Sequence, residues 1–300
     1  MISLADLSLN PISDLEQMRE YSFMVNALWA GTIVAVMAGA VGWFMVLRRQ
    51  TFAGHTLSVT AFPGAAAATL IGLPLAVGYF GACGLGAVIL AAVERDGRSG
   101  AANESAAIGT LQAFGLGLGY LFVILYGGQL SSLESLLFGS FLGITAGQVQ
   151  TLLWVLVATL VILAAIGRPL FFASVDGAVA RAAGVPTRFL AFAFLALLAL
   201  AVAATAEITG ALLVFSLLVT PAATAQRLTA RPGLGVLLSV GLALMVTWVG
   251  LTIAFFSPYP VGFWVTSLSF GIYVAVRVGE AIAGRASIRG RQLPGGAEPA

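Results

Sequence analysis

The chain has one histidine, His55, inside the segment Phe-Ala-Gly-His-Thr-Leu-Ser-Val-Thr-Ala-Phe-Pro-Gly at residues 52–64. An imidazole titrates near neutral pH and is a common ligand for transition metals. It follows the pair Arg48-Arg49 and precedes Pro63-Gly64, and the residues between are small or apolar. Little else in the chain can do covalent chemistry. There is a single cysteine, Cys83, and the 12 acids are scattered. No nucleophile–base–orienter set can be drawn from these residues, so no catalytic residue is expected and the chain does not read as an enzyme. All 14 basic residues are arginine. Without a lysine there is no phosphate-binding loop of the G-x-x-x-x-G-K-[ST] type, so any ATP that drives this protein is hydrolysed by a separate chain.

These residues sit in an apolar chain. Of 300 residues, 60% are hydrophobic and 9% charged, where soluble domains carry about 25% charge; mean hydropathy is +1.02. Apolar runs of about 20 residues recur, which predicts an all-α polytopic membrane protein. The 36 glycines fit close helix–helix contact in lipid. Nine spans are predicted, near 25–47, 54–72, 75–93, 106–126, 149–167, 189–206, 210–226, 234–256 and 261–283, giving a transmembrane domain over 25–284. Residues 1–24 form an acidic lead-in, too acidic for a cleavable signal peptide. Residues 285–300, basic and then rich in Gly and Pro, read as a disordered cytoplasmic tail. The stretch 127–148 is too polar for a plain span and reads as interfacial or re-entrant.

With the N-terminus outside, thirteen arginines fall on the cytoplasmic side and only Arg19 outside. That bias is the positive-inside rule, and it sets the C-terminus and the long break at 168–188 in the cytoplasm. Within that break Asp176 is positioned to cap a short helix, and Gly184 followed by Pro186 to end it. An internal echo joins two spans of opposite direction. Ser58 to Ala68 and Leu217 to Ala225 each set a proline, Pro63 or Pro221, before a run of small residues. Paired proline-interrupted helices in two halves point to a transport pathway, lined on this reading by His55, Ser58, Val59, Pro63, Thr220 and Pro221.

The segments 212–228, 172–190 and 136–145, with Leu57-Ser58 and Pro63-Gly64, resemble the permease subunit of bacterial zinc/manganese-type ABC importers. The run Leu-Val-Thr-Pro-Ala-Ala-Thr-Ala at 218–225, and its spacing from 172–190, carries most of this, and the likeness extends over about 25–285. The resemblance implies an ABC importer permease fold in the bacterial inner membrane. It also implies a permease homodimer, two cytoplasmic ATPases and an extracytoplasmic metal-binding protein or lipoprotein. The transported ion would be divalent zinc or manganese, with no permanently bound cofactor and no nucleic-acid partner. The 176–186 helix, with Asp176, Arg181, Ala182 and Gly184, would be the element that couples to the ATPase. An ordinary interfacial loop helix is the other reading of that segment.

In relatives, the matching segment reads Gly-Asp-Ala-Leu-Ser-His-Ala before Pro-Gly, so that an acid and a histidine share one helix face. Here His55 stands in place of the acid and Val59 in place of the histidine. The resemblance therefore puts His55 on the pathway as a candidate ligand, short of the usual chelate. Two imidazoles from a dimer suit zinc better than manganese. A histidine satisfied by a backbone carbonyl is the plainer alternative. Glu207 is the second candidate metal ligand, or else it caps the helix that follows it. The lost ligand pair also leaves open a chelated or non-metal substrate, and a carrier working without ATP remains a third possibility, disfavoured by the scarcity of mid-span acids.

Overall fold

A computed structural model describes residues 20–95, 101–127, 136, 137, 139 and 143–291, all but the side chains of 93–95, 101–107, 212 and 283–291. The described residues hold ten α-helices and no strand. They are α1 (Ser22–Leu47), α2 (Thr51–Leu70), α3 (Leu75–Arg95), α4 (Ala101–Leu125), α5 (Ala146–Val175), α6 (Gly177–Ala182), α7 (Thr187–Thr209), α8 (Ala211–Leu228), α9 (Pro232–Phe255) and α10 (Val261–Arg291). All but α6 have at least 18 residues. These nine long helices correspond in order to the nine expected spans.

Seven of the nine are long and apolar enough to cross a bilayer. The other two are α2 and α8, the helices that contain Pro63 and Pro221. α2 carries threonine, serine and histidine along its length, α8 is apolar over Leu213–Leu228, and the bundle encloses both. α2 is covered by α3, α4, α7 and α8, and α8 by α1, α7, α9 and α10. Two other helices do the opposite. α5 and α10 leave most of their spans uncovered, with large side chains such as Trp154 and Phe270 facing outward, as a lipid-facing helix requires.

α1 is the axis of the bundle. It packs against α5, α7, α8 and α9 and is buried along most of its length. Two glycines make this closeness geometrically available. A Cβ at Gly42 would run into the carbonyl of Leu218 on α8, and one at Gly39 would lie 2.7 Å from the Cα of Val240 on α9. Hydrogen bonds fasten the same contacts. Ser239 donates to the carbonyl of Gly39 at 2.7 Å, Gln226 to that of Trp43 at 2.8 Å, and Asn26 to that of Ile144 at 3.0 Å.

Two boundaries differ from the sequence expectation. The break expected at 168–188 is shorter, because α5 runs through Arg168 and Pro169 to Val175. Proline there deprives the carbonyl of Ala165 of its donor. Tertiary packing outweighs that loss: Leu170 is fully buried and Phe171 stacks on Trp43 of α1, ring centroids 6.2 Å apart. At the C-terminus, α10 continues to Arg291, past the boundary at 284. The lead-in up to residue 19 and the tail from 292 lie outside the described residues, as does most of 127–148. Of that stretch, Gly139 takes φ 77 and a Cβ on it would strike the backbone of Thr209. Thr145 and Gln148 form a reciprocal capping box at the start of α5.

The α1 contacts predict a sharp asymmetry between glycines. Gly42→Ala forces backbone apart and should cost about 1–3 kcal/mol. Gly81→Ala, which meets nothing within 4 Å, should stay within about 1 kcal/mol of neutral or gain from helix propensity. Thermal unfolding of the purified chain in detergent compares the two.

Candidate functional site

The site is assembled where α2 meets α8. Proline has no N–H, so Pro63 cannot donate to the carbonyl of Val59 and Pro221 cannot donate to that of Leu217. Each helix thus carries one carbonyl without its helical partner, and both prolines are buried. Around them lie hydroxyls that bond back to their own helix. Thr56 donates to the carbonyl of Phe52 at 2.9 Å, Thr60 to that of Thr56 at 2.7 Å, Ser58 to that of His55 at 2.8 Å, and Thr224 to that of Thr220 at 2.7 Å. With their protons used in this way, the oxygens keep lone pairs as acceptors.

His55 lies one turn into α2, half-buried. Its ring sits 4.7 Å from that of Phe215 on α8, inclined at 60°. Its Nδ1 is buried with no hydrogen-bond partner, so the carbonyl-satisfied histidine is not realised at that nitrogen. Ser58, Val59 and Pro63 are buried on the same helix, while Thr220 on α8 is half-buried beside buried Pro221. Val59 offers only its carbonyl. Among the described residues no group of three or more His, Cys, Asp or Glu side chains is gathered tightly enough to hold a metal ion.

Glu207 departs from one expectation. It does not cap α8: the N-cap there is Gly210, at φ 75, and no side chain caps it. The carboxylate instead accepts from the Gln148 amide at 3.5 Å, tying the last turn of α7 to the first of α5. The α7–α8 junction is tight because Gly210 takes a left-handed φ, so the chain reverses before a side chain from residue 207 can reach the next helix.

The short helix α6 has the expected boundaries. Asp176 accepts from the backbone N–H groups of Ala178 and Val179 at 3.0 and 2.9 Å. Gly184 terminates it at φ 80. Ala180 is buried, whereas Arg181, Ala182 and Gly184 are exposed on the outer face. The helix bridges α5 and α7 and packs on both.

Three contacts were not drawn from the sequence. Gln112 of α4 donates to the Thr56 hydroxyl at 2.8 Å. An amide within an apolar run is expensive in lipid unless paired, so its presence at 112 was a usable signal. Gln148 carried the same signal for Glu207. Phe215 carried none, being one aromatic among apolar neighbours.

The profile of the ABC 3 transport family matches residues 20–279. The manganese transport system membrane protein MntC of Halalkalibacterium halodurans is 30% identical over 216 residues, 72% of this chain and 73% of that protein. The chelated iron transport system membrane protein YfeC of Yersinia pestis is 29% identical over 236 residues, 79% of each. Among solved structures, PsaBC from Streptococcus pneumoniae in complex with Fab superposes with a TM-score of 0.78 at 26% identity, covering 88% of this chain and 94% of that one.

Accessibility of single thiols tests the α2 geometry. Cys83 is fully buried on α3, with its sulfur 3.5 Å from the Leu57 carbonyl. It should resist a bulky maleimide in the folded protein and react after denaturation. A His55→Cys variant in a Cys83→Ala background should react without denaturation. Mass spectrometry of the labelled chain reads both outcomes.

Proposed function

This chain belongs to the ABC 3 transport family, and from that premise we propose that it is the membrane-spanning permease of an importer for a divalent transition metal, powered by a separate ATPase. The observation that carries the reading is internal. Two proline-interrupted helices with hydroxyls along them, α2 and α8, pack against each other and are enclosed by other helices of the bundle, seven of which are long and apolar enough to cross a membrane among the described residues. Polar, proline-interrupted helices at the core of a membrane bundle suit passage of a hydrophilic cargo by alternating access. Thirteen cytoplasmic arginines against one favour an N-terminus outside and a C-terminus inside a bacterial inner membrane. The exposed face of α6, including Arg181 and Ala182, is the surface offered to the ATPase. A permease homodimer and an external metal-binding protein complete the assembly on this reading.

The order of metals changes from that suggested by two imidazoles. The manganese in the names of MntC and of the ScaB permease of Streptococcus parasanguinis favours manganese over zinc. Chemistry supports the same order. Apart from one imidazole, the buried polar atoms of α2 and α8 are oxygens: the Thr56, Ser58, Thr60 and Thr224 hydroxyls and the Val59 and Leu217 carbonyls. Oxygen ligands suit Mn²⁺ better than Zn²⁺. A chelated metal is the second reading, favoured by the missing acid–histidine pair and by the likeness to a chelated iron system. The stand-alone carrier is set aside by family membership.

Uptake of radiolabelled manganese and zinc in cells carrying the permease with its cognate ATPase and binding protein tests this. Saturable, ATP-dependent manganese uptake is expected to exceed zinc uptake, and His55→Ala to lower it on the order of tenfold, equivalent to about 1.4 kcal/mol. Uptake seen only when the metal is presented as a chelate selects the second reading. Absence of uptake of any form by an intact complex overturns the proposal.

A further inference from the structure

We infer that Arg48 is a positioning residue that fixes the base of α2, and so His55, to the root of α6, making the α1–α2 turn the link through which α6 movement reaches the pathway. The inference rests on the permease reading given above. Arg48 ends α1 and is half-buried. Its guanidinium donates from Nε to Gln50 Oε1 at 3.1 Å, within its own turn, and from Nη1 to Ser174 Oγ at 3.3 Å. Its carbon centre lies 5.3 Å from the ring centroid of Phe194. Ser174 is in the last turn of α5, two residues before the Asp176 that caps α6, and Phe194 lies fully buried two turns into α7. One side chain therefore touches both helices between which α6 is strung. A guanidinium suits this double task, since it is planar, carries several N–H donors and lies over rings readily.

The turn itself is built to transmit. Arg49 donates to the Val46 carbonyl at 3.0 Å and Gln50 to the Met45 carbonyl at 3.0 Å, the crossed pair that closes a helix through a left-handed residue. The same pattern closes α2 at Gly72 and α6 at Gly184, with φ 73 and 80. At the α1–α2 turn the left-handed residue is Arg49, φ 58, the one described non-glycine residue with positive φ. A strained conformation persists where its surroundings over-determine it, and here the Arg48 contacts supply that determination. α2 begins at Thr51, two residues on, and α1 and α2 share little packing beyond the turn. The seating of α2's first turn therefore depends on the latch.

The permease reconstituted in liposomes with its cognate ATPase separates this from mere structural support. A structural defect lowers transport and ATP hydrolysis together; a broken link lowers manganese moved per ATP hydrolysed. Arg48→Ala is expected to cut that ratio severalfold while hydrolysis persists, and Arg48→Lys to fall between it and wild type. Arg49→Gly removes the same charge from the same turn with a residue suited to its φ and is expected to keep the wild-type ratio. An unchanged ratio in Arg48→Ala, or an equal fall in Arg49→Gly, overturns the inference. Hydrogen exchange of the permease alone covers poor assembly of Arg48→Ala. Amides of residues 50–56 should exchange severalfold faster in Ser174→Ala than in wild type, and equal rates overturn the latch. If the wild-type complex moves no metal with ATP, the permease reading fails, and exchange still decides whether Arg48 seats α2.

Discussion

A carbonyl without a donor has no water to turn to in the hydrocarbon layer, and Pro63 and Pro221, inside helices that the bundle encloses, each free one. That constraint orders the rest of the bundle. A helix with a freed carbonyl and a polar face is costly against lipid, so α2 and α8 are enclosed, while α4, α5, α9 and α10 leave most of their spans uncovered. The hydroxyls along α2 follow the same logic. Each satisfies its own proton on a carbonyl of the same helix, which keeps the cost of a polar interior low and leaves acceptor oxygens in the core.

Enclosing two helices at once requires a third that can approach several neighbours closely, and α1 has the composition for it. Its alternation of alanine, glycine and valine leaves little between backbones, and Gly39 and Gly42 remove the last Cβ atoms from the contacts with α9 and α8. Without a hydrophobic driving force between helices in lipid, such contacts hold by dispersion at short range and by a few hydrogen bonds. Gln226 and Ser239 provide those bonds by reaching α1 carbonyls. Close packing and polar pairing are thus concentrated on the helix whose C-terminal end carries Arg48.

Much of this was legible because membrane helices announce themselves by length and hydropathy, and because cap chemistry is local. The nine long helices, and the α6 boundaries set by Asp176 and Gly184, follow from residues within a few positions of one another. What the sequence misplaced depended on distant contacts. Arg168-Pro169 reads as a helix end, yet Phe171 on Trp43 and the burial of Leu170 carry α5 onward to Val175. Glu207 reads as a helix cap because it precedes a helix, but Gly210 turns the chain away and Gln148, 59 residues earlier, takes the carboxylate. The ring of Phe215 beside His55 had no sequence signal, since aromatic contact is a matter of which helices meet.

On the pathway we propose, the site bears on how a conduit works without an acid–histidine pair. A helical acid and histidine four residues apart grip a cation strongly. His55 followed by Val59 cannot, and the deficit is left to neutral oxygens and one imidazole. Weak, distributed ligation is not a defect in a conduit. Cargo must leave as readily as it enters, and each charged ligand removed lowers the depth of the well that has to be escaped. The burden of selecting the ion then shifts to what delivers it, while the permease's task becomes opening and closing around it. On that proposal the residues that set the position of α2 matter as much as those that touch the ion, which is the place our inference gives to Arg48.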